Sequence, residues 1–165
     1  MKQFAFLQDA NALTRPVETN KADGFRILEL HNTDATVDNA PALAAALDAT
    51  LEQEKPDLVV FCGDVTMGPA DADTLKQVLT VLTAPLENRQ IPWTNVFGDD
   101  ERTGKLDIAA QLPVYQSFAH CLTIAGPRDI DGIGNYMVPV VHDGKLLCAV
   151  WGMETGAHVE TYEKQ

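Results

Sequence analysis

The chain has 165 residues, 45% of them hydrophobic and 22% charged, which is one domain's worth of an ordinary folded protein and excludes disorder as a description of the whole. Twenty-four acidic side chains against twelve Lys and Arg leave a net charge of −12. Such a surface repels phosphate backbones and argues against a nucleic-acid partner. The N-terminus lacks the apolar core of a signal peptide, and no segment approaches the ~20 apolar residues of a membrane span. No membrane partner and a cytoplasmic location are therefore expected. Cys62, Cys121 and Cys148 each lie in an apolar run without a C-x-x-C pair and read as buried free thiols in a reducing compartment.

In chain order, residues 1–24 read as an arm, with a short strand expected at Phe4 to Leu7. F-R-I-L-E-L (25–30) alternates like a strand. Residues 40–54 repeat Leu43, Leu47 and Leu51 every four positions, behind a cap at Asp38 or Asn39 and with Pro41 in the first turn, and predict a helix ended by Lys55-Pro56. D-L-V-V-F-C (57–62) is continuously apolar between Pro56 and Gly63, the signature of a strand buried on both faces. Asp71 or Asp73 caps a second helix with an apolar stripe of Leu75, Val78, Leu79 and Leu82. I-P-W-T-N-V-F (91–97) is a third strand, and a helix interrupted by Pro113 is expected over 103–119. The last third is strand-rich: 120–126, 135–142 and 145–152, the last two joined by the hairpin signal His142-Asp143-Gly144-Lys145. Trp93 and Trp151 are expected in the core, Met67 and Met137 in packing, and His120 and His142 in structural hydrogen bonds.

The β-α-β-α-β order predicts an α/β fold with a parallel sheet, whose strand C-termini share one edge. The loops after the three strands, H-N-T-D (31–34), G-D-V-T-M-G (63–68) and G-D-D-E (98–101), each deliver carboxylates or amides to it. Asn32, Asp34, Asp64, Asp99, Asp100 and Glu101 are the candidates to converge there, and clustered oxygens of this kind suit Mg²⁺, Mn²⁺ or Ca²⁺. His31 stands beside the first loop as an additional candidate ligand. Asp, Asn and Gly also dominate loops and caps for reasons of backbone geometry alone.

Four stretches in order resemble the calcineurin-like metallophosphoesterases, in the branch related to purple acid phosphatases. The resemblance covers about residues 20–157. Phe25 to Asp34 is similar to the family's first strand, which delivers an Asp and a His. Pro56 to Asp64 is similar to its second, ending in Gly-Asp, and Ile91 to Glu101 to its "I-P-W-x-x-V-x-G-N-H-D-x-E". Gly132 to Val140, followed by Glu154-Thr155-Gly156, resembles "G-x-x-N-Y-x-x-P-V" and "D-S-G".

The resemblance implies metal positions at Asn32, Asp34, Asp64 and Asp99, with Asp100 at the place of the family's catalytic His. Asp64 alone keeps the family residue. The family's later Gly-His and Gly-His-x-His motifs have no counterpart, and His158 stands in the wrong place to replace them. Losing imidazoles and adding carboxylates turns any remaining site from zinc, iron or manganese toward Mg²⁺ or Ca²⁺ and repels a phosphate.

The expectation is therefore an α/β sandwich carrying little more than the family's N-terminal half: an arm at 1–24, the domain at 25–157 and a polar tail at 158–165. It is expected to be degenerate and without ordinary phosphoesterase activity. The alternative is a divalent-metal phosphoesterase, with a phosphate-ester ligand, completed by oligomerisation or a partner chain. A third reading is a Mg-binding phospho-receiver-like module, disfavoured because Lys145 begins its strand. A homodimer is expected to cover the exposed sheet face.

Overall fold

A computed structural model describes residues 15–21 and 24–156. The strand expected at Phe4 to Leu7, His158 and the polar tail lie outside the described residues. The elements are β1 (Val17–Glu18), β2 (Ile27–Leu30), α1 (Ala40–Glu54), β3 (Leu58–Cys62), α2 (Ala72–Leu82), α3 (Ala84–Arg89), β4 (Trp93–Val96), α4 (Ile108–Gln116), β5 (Tyr136–His142) and β6 (Lys145–Gly152).

Two three-stranded sheets form. β2-β3-β4 is wholly parallel; in the other, β1-β5-β6, β1 runs parallel to β5 and β6 antiparallel to it. The apolar run of β3 explains why the two layers meet there. Val59 and Phe61 face the helices, in one core with Leu47, Leu51, Leu75, Leu79 and Trp93. Leu58 and Val60 face the other way, in a second core with Val17, Tyr136 and Val138. Each such side chain, fully buried, stabilises the fold by about 1.5–3 kcal/mol. The architecture is an α/β sandwich: helices, parallel sheet, mixed sheet.

Local chemistry sets the element ends. Lys55 takes a left-handed conformation (φ 48°) and returns its N–H to Leu51 O, closing α1. At the start of α1 Asn39 makes no side-chain cap bond; its Oδ1 accepts the Thr36 amide at 2.7 Å instead. Asp71 caps α2, accepting the Thr74 N–H at 2.7 Å, which pulls its carboxyl below the usual range. The expected apolar stripe of α2 is buried in full. Asp143 and Gly144, at φ 47° and 68°, form the two-residue turn between β5 and β6, as the Asp-Gly pair requires.

Several expectations are corrected. The helix over 103–119 shortens to Ile108–Gln116, capped by Asp107, with Pro113 inside it. α3 follows α2 after one residue, where the sequence pattern predicts no helix. Residues 120–126 form no strand but a single bridge, Cys121 to Trp93. Beyond it the Thr123 hydroxyl accepts the Asn95 amide at 3.0 Å and donates to Asn95 Oδ1 at 2.6 Å, so a side chain takes the place of the ladder. The arm contributes β1 to the mixed sheet.

Cys121 is buried, but Cys62 is half-buried and Cys148 exposed. Trp93 is fully buried, whereas Trp151 is 64% and Met67 48% exposed. Cys148 and Trp151 lie on β6, an edge strand of its sheet. Met67 lies in the loop after β3. Met137 is buried, and His120 and His142 are held by Glu87 and by the Thr19 carbonyl. Among the described residues no helix is long and apolar enough to cross a membrane.

Candidate functional site

The loops after β2, β3 and β4 meet at one edge, as the parallel order requires. Their backbones are zipped together: the Asp34 amide donates to Asp64 O at 2.9 Å, Ala35 to Val65 O at 2.9 Å, and Gly68 to Asp100 O at 2.9 Å. Asn32, Asp34 and Asp64 have φ of 48°, 44° and 50°. Asn and Asp are the non-glycine residues best able to adopt this left-handed conformation. Backbone geometry thus accounts for three of the expected metal positions before any ion is invoked. Gly98 is required by close approach: a Cβ there would lie 2.2 Å from Asp64 Oδ1 and 2.6 Å from its amide nitrogen.

The three adjacent acids of Gly98-Asp99-Asp100-Glu101 have three different fates. Asp99 is exposed. Glu101 turns inward and is fully buried. One of its oxygens accepts the amides of Val65 and, at 3.1 Å, Thr66; the other accepts those of Asp64 at 3.2 Å and Gly98 at 2.8 Å. Four donors occupy the roughly four lone-pair sites of a carboxylate. Burial pushes this carboxyl above its ordinary value, against the pull of the Thr66, Gly98 and Val65 amides. Glu101, expected as an additional ligand, staples the β3 loop to the β4 loop and has no lone pair left over.

Asp100 places its backbone N–H on Asp64 Oδ1 at 2.9 Å, and Asn32 Nδ2 donates to Asp64 Oδ2 at 3.1 Å. Both oxygens of the one unchanged family carboxylate are therefore engaged within the protein. The Asp34 carboxyl is pushed up by burial first, and then by its neighbours Asp100 and Asp64. Among the described residues no Lys, Arg or His pairs with Asp34, Asp64 or Asp100. The adjacent cation, Arg102, pairs instead with the buried Glu154 at 2.5 Å, tying the Glu-Thr-Gly segment to the turn at 100–102.

A two-metal hydrolytic centre does not fit this set. Its bridging carboxylate already accepts two internal donors, an amide donor stands at Asn32, and among the described residues no imidazole pairs with the loop carboxylates. The buried Asp34 Oδ1 has no hydrogen-bond partner, so one acceptor remains there for a single hard cation.

His31 points elsewhere. Leu28 and Leu30 pack toward the helices, so Glu29 and His31 stand on the opposite face of β2, the face of Leu58, Val60 and Cys62 on β3. There Glu29, His31 and Cys62 bring one ligand atom each within 4.8 Å of one another, the one such group of His, Cys, Asp or Glu among the described residues. It is a partial Glu/His/Cys set of the kind that holds a divalent cation. Burial, and then the Glu29 charge, raise the Cys62 thiol pKa. The parallel alternation of β2 and β3 was visible in sequence, but the register that joins these three was not.

Sandwich, loop edge and substituted motifs together define a metallophosphoesterase-type domain with an incomplete metal-binding set. No family model matches the chain. It is 34% identical over 110 residues to "Phosphatase DCR2" of Saccharomyces cerevisiae, covering 61% of this chain and 18% of that protein. It is 27% identical over 99 residues to "Probable inactive purple acid phosphatase 14" of Arabidopsis thaliana, covering 57% of this chain and 25% of that protein. With "Probable inactive purple acid phosphatase 29" of the same plant it shares 28% over 106 residues, 61% of this chain and 27% of the relative. The chain is thus distantly similar to the calcineurin-like, purple-acid-phosphatase-related superfamily, with a degenerate counterpart of its metal-binding cluster. It spans about a fifth to a quarter of the length of these curated relatives.

Proposed function

We propose that this chain is a non-hydrolytic metallophosphoesterase-like domain that acts by binding or assembly. The observation that carries the reading is the state of Asp64: both its oxygens are held by internal donors, from Asn32 and from the Asp100 amide. Each donor takes one lone pair of a carboxylate that would otherwise be free to bridge two ions, and the Asn32 amide stands where a second metal-binding carboxylate would be needed. Asp100 adds a negative group where a phosphate would dock, with Asp34 beside it. Two of the relatives named above carry "inactive" in their own names, which supports the reading. The test is hydrolysis of p-nitrophenyl phosphate and bis-p-nitrophenyl phosphate with Mn²⁺. No turnover above a protein-free control is expected; turnover that disappears in Asp64→Ala overturns the reading.

The phosphatase among the relatives, at 34% identity, favours a second reading. There a partner chain or second copy completes a working site with phosphate-ester specificity. It predicts activity in the oligomer alone, and a monomeric variant as active as the oligomer would sink it. Both readings accommodate a homodimer in a reducing compartment, supported by the exposed apolar side chains Ile27, Trp151 and Met153 and the free thiols.

A further inference from the structure

The Glu29, His31 and Cys62 group stands apart from the acidic loops in chemistry as well as in place. The acidic loops offer hard oxygens. Here a thiol, an imidazole and a carboxylate meet, the mixed donor set that selects a borderline-soft ion over Mg²⁺ or Ca²⁺. The convergence is built into the sheet. Alternation along β2 puts positions 29 and 31 on one face, and the hydrogen-bonded register of Leu30 with Phe61 brings the next residue of each strand, His31 and Cys62, abreast. On β3 this face is otherwise apolar, Leu58 and Val60 being packed against Val17, Tyr136 and Val138. The three donors sit where that packing gives way to solvent: Glu29 and His31 are exposed and Cys62 half-buried.

The distances admit an ion. Bonds of about 2.0–2.3 Å to a tetrahedral Zn²⁺ put neighbouring ligand atoms roughly 3.3–3.8 Å apart. The present separations, none above 4.8 Å, exceed this by no more than rotamer adjustment of two exposed side chains covers. His31 Nε2 and Glu29 Oε2 already stand 4.0 Å apart.

We propose that Glu29, His31 and Cys62 form a zinc site at the edge of the inter-sheet face, with three protein ligands and a fourth position open to water. Cys62 also lines a cleft of about 210 Å³ between the sheets, with Tyr136, Val150 and Trp151, which gives this ligand an approach from solvent. The site goes beyond the reading of the acidic loops and stands whether or not those loops bind a cation.

The test uses the full chain with ZnCl₂ in competition with a chromophoric chelator, and with Co²⁺ read by thiolate-to-metal charge-transfer absorption. One zinc equivalent and a charge-transfer band are expected. Cys62→Ser should abolish the band and weaken zinc by about tenfold or more, and His31→Gln and Glu29→Gln should each weaken zinc measurably. Cys148→Ser and Asp64→Asn should change neither readout. A band that survives Cys62→Ser, or zinc affinity unmoved by His31→Gln and Glu29→Gln together, overturns the site. Loss of zinc in Asp64→Asn with none in Cys62→Ser would move the ion to the acidic loops, with the same result. Melting of each variant without metal confirms that the comparison is between folded proteins.

Discussion

Asn32 Nδ2 donates to Asp64 Oδ2 at 3.1 Å, so the first loop meets the second as donor to acceptor where the family has two carboxylates around a metal. Asn32→Asp restores the family residue and replaces an attraction by a repulsion. At this exposed position the cost without divalent ions is expected to be about 1 kcal/mol, more at low salt. Millimolar Mn²⁺ or Mg²⁺ should then raise the melting temperature of the variant more than that of the wild-type chain. Melting curves with and without the ions decide it; equal ion responses would show that no cation sits between these loops.

Glu101→Gln is expected to destabilise although it removes a charge that burial disfavours. Four backbone amides point at the two carboxylate oxygens. The amide group of Gln keeps one oxygen and turns two donors toward the remaining amides, leaving buried N–H groups unpaired. Each unpaired group costs about 1–3 kcal/mol. Urea unfolding should show a loss of at least about 1 kcal/mol with an unchanged m-value. A neutral substitution would mean that Glu101 does not hold the loops.

These two positions show what the sequence could and could not disclose. The apolar run 58–62, the α2 stripe and the Asp143-Gly144 turn are local patterns, and they appear in the structure as read. The six-residue α3 is too short to show a period. The strand expected over 120–126 is lost because the Thr123 side chain takes the place of a ladder bond. An apolar run such as 145–152 says that a strand forms, not which face is covered, so the exposure of Trp151 was invisible. At the loop edge, the presence of acids was legible but their use was not. That Glu101 is consumed by four amides, and that Asp64 is held by Asn32, depends, the local Gly98 amide aside, on contacts 32–37 positions apart that only the fold creates.

Asp34 gives the pH dependence. Its folded-state pKa is raised above 3.8 by burial and by Asp100 and Asp64. The folded state therefore binds this proton more tightly than the unfolded chain. The stability it contributes is fully present below pH 3.8 and is lost as pH rises through the higher folded value. Asp34→Asn cannot lose a proton, tolerates the left-handed backbone, and can donate to Asp100. The variant should thus gain stability relative to wild type as pH rises from about 3.5 toward 7, with the difference smallest at the acid end. A difference in unfolding free energy that is flat across that range would show that the fold does not raise the Asp34 pKa.

The proposed homodimer makes a separate demand on the surface. Ile27, Trp151 and Met153 are 39%, 64% and 68% exposed, and Trp151 borders the cleft between the sheets. A large aromatic left in water is a natural anchor for a second chain, since such residues dominate interface energetics at about 2 kcal/mol or more each when fully buried. If a second copy covers this face, the melting temperature of the wild-type chain rises with protein concentration. Trp151→Glu with Met153→Glu abolishes that dependence and leaves a folded monomer by light scattering. Zinc binding at Cys62 in that monomer separates the two proposals, because the three ligands all come from one chain. A wild-type chain monomeric at high micromolar concentration, with a concentration-independent melt, removes the dimer and leaves the exposed tryptophan to a different partner.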